Sequence, residues 1–160
     1  MYYRKNKILE PLEALKILTN KQNVIFVSGV FDIFHIGHLT FLRQAKNILK
    51  KKGILLVVVH DDKSVRAKKG QNRPINELKY RIEMLSELEC VDFVVPWYGW
   101  ENVREFVIAL KPGYIAVTEG QFENKTIKNF SIKNEIKLKV IKMSVDISTS
   151  KLIKAIGSEL

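Results

Sequence analysis

The sequence predicts an α/β domain, doubly wound around a parallel sheet with helices on both faces. Three observations carry that reading. Hydrophobic spacing switches repeatedly between short β-branched runs and helical stripes. One run, residues 54–59, is apolar at every position, as a strand buried on both faces of a parallel sheet requires. The helical stripes fall between successive runs, where right-handed crossovers lay them against the sheet.

Taken in order, residues 1–22 are an N-terminal lead-in with a helical piece over Pro11–Leu18, its proline suited to a first helical turn. The first strand spans 24–28. Residues 39–49 place Leu39, Leu42, Ala45, Ile48 and Leu49 on one helical face, and Gly53 ends that helix before strand 54–59. Tyr80, Met84, Leu85 and Leu88 give residues 76–88 a helical period. Strand 91–95 is expected to stop at Pro96. Val103, Phe106, Val107 and Leu110 form the next stripe, closed by Pro112 and Gly113. Strands 114–118 and 137–143 and a final helix over 149–156 complete the pattern. Residues 63–73 and 119–134 read as basic loops, and the whole of 1–160 reads as one domain.

The chain has 160 residues, 46% hydrophobic and 28% charged, which excludes wholesale disorder. Lys and Arg number 27 against 17 Asp and Glu, so the formal charge of +10 favours anionic partners. The single cysteine, Cys90, excludes a disulfide scaffold and a Cys-rich zinc site. It reads as a small core residue and points to a reducing, cytoplasmic setting. No apolar stretch approaches the roughly 20 residues that span a bilayer. No apolar run follows the polar N-terminus, so no signal peptide and no membrane partner are expected.

Chemistry concentrates after the first strand, where a doubly wound sheet binds its ligands. The segment 28–38 reads S-G-V-F-D-I-F-H-I-G-H. Gly29 lets backbone amides approach an anion. His35 and His38 are three positions apart, on one side of a first helical turn, with Gly37 between them. A helix start attracts phosphate through its free N–H groups, and two imidazoles there add donors. A metal site would need a third ligand, and only Asp32 is near, so no metal ligation by side chains is expected. The dinucleotide G-x-G-x-x-G and the G-x-x-x-x-G-K-[ST] loop are both absent. The third histidine, His60, reads as structural.

The motif from Gly29 to His38 resembles the signature of the cytidylyltransferase-like nucleotidyltransferases, a Rossmann-like family in which an H-x-G-H turn grips a nucleoside triphosphate. The resemblance extends along most of the chain. Residues 61–70 are similar to the basic loop of small sugar nucleotidyltransferases. Arg73, Pro74, Ile75, Asn76 and Arg81 resemble their R-P-[VI]-N-x-x-x-x-R segment. Ile147, Ser148, Thr149 and Ser150 resemble their I-S-T-T phosphate motif. The lead-in is laid out as in the heptose-phosphate adenylyltransferases, which occur alone or fused to a sugar kinase. Glu119, Gly120, Gln121 and Phe122 stand where that subgroup usually has G-G-D-Y.

The resemblance implies transfer of a nucleoside monophosphate from an NTP, with ATP favoured, to a phosphorylated small molecule such as a sugar 1-phosphate. Pyrophosphate leaves and Mg2+ accompanies the NTP. A CTP-dependent enzyme acting on a phospho-alcohol and an FMN adenylyltransferase are the alternatives. His35, His38 and Lys68 are implied as catalytic. Gly29, Val30, Phe31, Asp32, Gly37, Lys69, Arg81, Glu119, Gly120, Ile147, Ser148 and Thr149 are implied as nucleotide-binding, in a homodimer that binds no nucleic acid. Competing readings attach to several of these residues. Ser148 and Thr149 also suit a helix cap, Lys68 and Lys69 a solvated loop, Asp32 a cap of its turn, and Arg81 a surface pair with Glu77. Trp97 and Trp100 read as loop packing. An RNA-binding module, suggested by charge alone, and a silent nucleotide sensor, suggested by the altered residues 119–122, stand behind the enzyme reading.

Overall fold

A computed structural model describes residues 7–99, 102–143, 147 and 149–157. Strands β1 (Val24–Gly29), β2 (Ile54–His60), β3 (Phe93–Trp97), β4 (Tyr114–Thr118) and β5 (Lys137–Ile141) form one sheet in the order β3-β2-β1-β4-β5. Every neighbouring pair is parallel. Helices α1 (Pro11–Leu18), α2 (Ile36–Asn47), α3 (Asp62–Lys69), α4 (Leu78–Ser86), α5 (Val103–Leu110), α6 (Glu119–Phe122), α7 (Lys125–Lys133) and α8 (Thr149–Gly157) connect and cover it.

Leu55, Leu56, Val57, Val58 and Val59 of β2 are all fully buried, which is why that strand tolerates no polar position. The sheet's two faces divide them. Leu55, Val57 and Val59 join Ile25 and Val27 against Phe41, Leu42 and Ala45 of α2 and Leu85 of α4. Leu56 and Val58 join Val24 and Phe26 against Ala14 and Leu18 of α1 and Phe106, Val107 and Leu110 of α5. Each half-core follows the two-residue period of the strands.

The order of winding reverses between β1 and β4. There the ladder is short. Ile25 pairs with Tyr114 and Phe26 with Ile115, whereas β1 follows β2 from Val24 through Gly29. Beyond Phe26 the carboxyl ends of β1 and β4 part, and the crevice they leave is the place where open α/β sheets hold ligands.

Three sequence expectations are corrected. Pro96 does not stop β3 but lies within it, opposite Val59. β3 is an edge strand, where a missing N–H costs no ladder bond. Residues 63–73 are not simply loop, because α3 occupies Asp62–Lys69. Asp61 caps it by accepting from Ser64 N at 3.0 Å, and Val65 anchors it in the core. Residues 119–134 hold α6 and α7, the latter capped by Asn124 accepting from Thr126 N at 2.9 Å. The lead-in is not loose. Leu9 N donates to Val94 O at 2.9 Å, so residues 8 and 9 run along the outer edge of β3, and α1 packs against α5.

Candidate active site

A cavity of about 720 Å³ opens at the parted ends of β1 and β4. Gly29, Val30, Phe31, Asp32, His35, Gly37 and His38 line it from the turn joining β1 to α2. Thr118, Glu119, Gly120 and Gln121 come from the end of β4 and α6, and Ile147, Thr149 and Ser150 from the start of α8. Ser148 and Trp100 lie outside the described residues.

The histidine pair is locked by its own backbone. His35 caps α2, and its Nδ1 accepts from Gly37 N at 3.1 Å. His38 Nδ1 accepts from His35 N at 3.4 Å, and the two rings stack with centroids 3.9 Å apart. Both Nδ1 atoms are therefore acceptors, so each neutral ring carries its proton on Nε2. Burial pushes the His38 pKa down to about 4, helped by the charges of His35 and Lys69 and opposed by Asp32. Burial also lowers that of His35. At neutral pH the pair consists of two uncharged Nε2–H donors. Gly37 makes this possible. A Cβ there would stand 2.9 Å from the His35 ring and 3.2 Å from Ile147. Phe31, held at φ +51°, sets its ring 5.4 Å from that of His38.

Asp32 borders the cavity, but its carboxylate is taken up by the protein. Arg73 Nε donates to Oδ2 at 2.7 Å, Ile75 N reaches both oxygens at 3.0 Å, and Asn76 N donates to Oδ1 at 3.0 Å. Burial alone would raise its pKa, but these donors outweigh it and hold the group below the usual carboxylate value. Asp32 thus lines the cavity while its carboxylate anchors Arg73 and the segment that follows. Arg73 itself lines the cavity, a position the sequence marked only as part of a motif.

Arg81 is likewise engaged by the protein itself. It is 1% exposed and, among the described residues, lines neither this cavity nor the second one described below. Its Nη1 donates to Val30 O at 2.6 Å, and its Nη2 to His60 O at 2.9 Å and to Asp62 at 2.6 Å. Its Nε donates to Asn76 O at 2.9 Å. Glu77, its expected partner, pairs with Lys79 instead. Arg81 ties together the chain just past β1, the end of β2 and the start of α3.

The two loop lysines separate. Lys69 lines the histidines' cavity, whereas Lys68 lines a second one of about 620 Å³. That cavity lies between the ends of β1 and β4 and helices α5 and α7, with His60, Arg104, Val107, Thr126, Ile127 and Phe130 among its lining residues. Gly29, Val30, Lys69, Gly120 and Gln121 border both. The two chambers therefore meet where β1 and β4 part. Sequence reasoning missed the second one, whose walls come from elements far apart in the chain. The Gln121 carbonyl accepts from Thr118 N at 3.0 Å, a local job that explains a glutamine in α6. Trp97 packs against Phe106 with ring centroids 4.8 Å apart, and half-buried Cys90 packs against the core. Among the described residues no group of three or more metal-ligating side chains comes together, and no helix is long and apolar enough to cross a membrane.

Residues 26–155 match the family model described as Cytidylyltransferase-like. The chain is 35% identical over 156 residues to the bifunctional protein HldE of Helicobacter hepaticus, covering 96% of this chain and 31% of that protein. It is 36% identical over 150 residues to the HldE of Helicobacter pylori, covering 94% and 30%. The chain thus spans about a third of the length of these curated relatives. Among solved structures, the lipopolysaccharide core biosynthesis protein of Thermoplasma volcanium superposes with a TM-score of 0.61 at 30% identity, covering 76% of this chain and 95% of that one. The pantoate-β-alanine ligase of Francisella tularensis reaches 0.63 at 17% identity, covering 90% and 69%, a likeness of fold.

Proposed function

The chain belongs to the cytidylyltransferase-like family of nucleotidyltransferases, and we propose that it moves a nucleoside monophosphate from an NTP onto the phosphate of a phosphorylated sugar. The observation that carries this reading is the meeting of the two chambers at Lys69, beside the histidine pair. The donor occupies the first chamber, its phosphates between the start of α2 and the start of α8. The acceptor enters the second, its phosphate led in by Lys68 and Lys69. An acceptor phosphate oxygen attacks the α-phosphorus, the bond from that phosphorus to the bridging oxygen breaks, and pyrophosphate leaves with the electron pair. An ionised phosphate needs no base, so catalysis rests on positioning and charge stabilisation. His35 and His38 donate Nε2–H to the oxygens on which charge grows, and Thr149, with Ser148, offers donors to the β- and γ-phosphates. Mg2+, when bound with the triphosphate, neutralises phosphate charge. Asp32 has no oxygen to spare for it, so the residues present fit an ion carried by the phosphates.

ATP and a heptose 1-phosphate are the proposed pair, on the likeness to the HldE proteins and to the heptose-phosphate adenylyltransferases. A homodimer is proposed on the same likeness. The test is a pyrophosphate-release assay crossing ATP and CTP with sugar 1-phosphates, glycerol 3-phosphate and FMN. ATP with a sugar 1-phosphate should give the fastest release. His35→Ala or His38→Ala should cut kcat by about 10²–10³ while the circular dichroism spectrum holds. A preference for CTP moves the reading to the cytidylyltransferase alternative, and release with no pair overturns it.

A further inference from the structure

Arg73 stands out because half of its guanidinium is spoken for and half is not. Its Nε is held 2.7 Å from Asp32, a carboxylate that is itself 2% exposed and fixed by two backbone N–H groups. Its Nη2 is buried and has no hydrogen-bond partner among the described residues. An unmet guanidinium N–H is costly, and a phosphate oxygen is the acceptor its fork suits best. Lys69 lies close enough for the Arg73 charge to depress its pKa, after burial, with Asp32 pulling the other way. Two cations and two uncharged imidazoles therefore face the cavity. Against them stand the saturated carboxylate of Asp32 and the exposed Glu119 of α6. The deep, buried part of the wall calls for a polyanion.

Position assigns the part of the polyanion. Lys69 borders both chambers, whereas Arg73 borders only the first. In an in-line transfer the leaving group departs on the side away from the acceptor. We infer that Arg73 grips the pyrophosphate portion of the donor, and that Asp32 is the positioning residue that aims it.

The inference rests on the nucleotidyl-transfer reading, and its test separates the two. Calorimetric titration of the wild type, Arg73→Gln and Arg73→Lys with ATP, AMP and inorganic tripolyphosphate is the experiment. Arg73→Gln should raise the Kd of ATP and of tripolyphosphate at least tenfold and change that of AMP less than twofold. Arg73→Lys should fall between, keeping charge without the fork. Asp32→Asn should weaken ATP in the same pattern, raising KM for ATP more than it lowers kcat. The double variant Asp32→Asn, Arg73→Gln removes the buried pair together and keeps the test open if the single change unfolds. Equal shifts for ATP and AMP, or none, in a wild type that still releases pyrophosphate overturn the role of Arg73 alone. A wild type that binds neither ATP nor tripolyphosphate overturns the functional reading and this inference with it.

Discussion

At the scale of single residues, two arginines eight positions apart have opposite employment. Arg81 spends its guanidinium on four protein acceptors, while Arg73 shares one nitrogen with Asp32 and borders the cavity. Removing Arg81 leaves the carbonyls of Val30 and His60 and the Asp62 carboxylate without their donor, and breaking a buried charged pair costs about 3–5 kcal/mol. Arg81→Ala should therefore lower stability by that amount in urea unfolding, and Arg81→Lys should restore little, since one ammonium cannot span the same acceptors. Wild-type stability in Arg81→Lys would sink this account. Nothing local distinguishes these arginines in the sequence, because burial of Arg81 is decided by the convergence of β1, β2 and α3. The histidine pair was legible for the opposite reason. His35, Gly37 and His38 make their bonds to one another within four residues.

At the scale of elements, the switch point depends on how closely the start of β4 approaches the chain entering β1. Gly113 precedes β4, and a Cβ on it would stand 1.9 Å from the carbonyl oxygen of Gln22. That neighbour is backbone and cannot swing away. Gly113→Ala should force the short β1–β4 ladder apart, costing about 3 kcal/mol, the upper end of overpacking. Gly120 is the control, since a Cβ there would meet nothing within 4 Å. Differential scanning calorimetry should show Gly113→Ala melting about 10 °C lower and Gly120→Ala nearly unchanged. Equal melting temperatures for the two would remove the close approach as a constraint. The long apolar runs and stripes were readable because β1, β2, α1 and α5 bury whole faces. The basic segments were not. α3 is anchored in the core through Val65 and α7 buries Ser131, and charge around them masks the helical period. Pro96 misled because the sequence does not say which strand lies at an edge.

At the scale of the whole molecule, the fold keeps its histidines uncharged, and that makes its stability depend on pH in a defined window. His60 is 3% exposed, and burial pushes its pKa down to about 4, opposed by Asp61 and helped by the charges of Arg81 and Lys68. His38 is lowered to about 4 as well. In the unfolded chain a histidine titrates near 6.5. Between about pH 6.5 and pH 4 the unfolded state therefore binds protons that the folded state refuses, so stability rises with pH across that window and falls as acid is added. Asp32 and Asp61 are lowered carboxylates, whose contribution is complete above about pH 4 and lost only below it. The interval from pH 7 to pH 5 thus isolates the histidines. For His60 the linkage amounts to about 2 kcal/mol over that interval. Urea unfolding of the wild type at the two pH values should show a clear loss at pH 5. His60→Gln, which cannot titrate, should lose about 2 kcal/mol less between them, whatever its stability at pH 7. His60 does not line the cavity of the histidine pair, so under the proposed function the variant should still bind the triphosphate at pH 7. If wild type and His60→Gln lose the same stability between pH 7 and pH 5, the buried neutral histidine is not what ties this sheet's stability to acid.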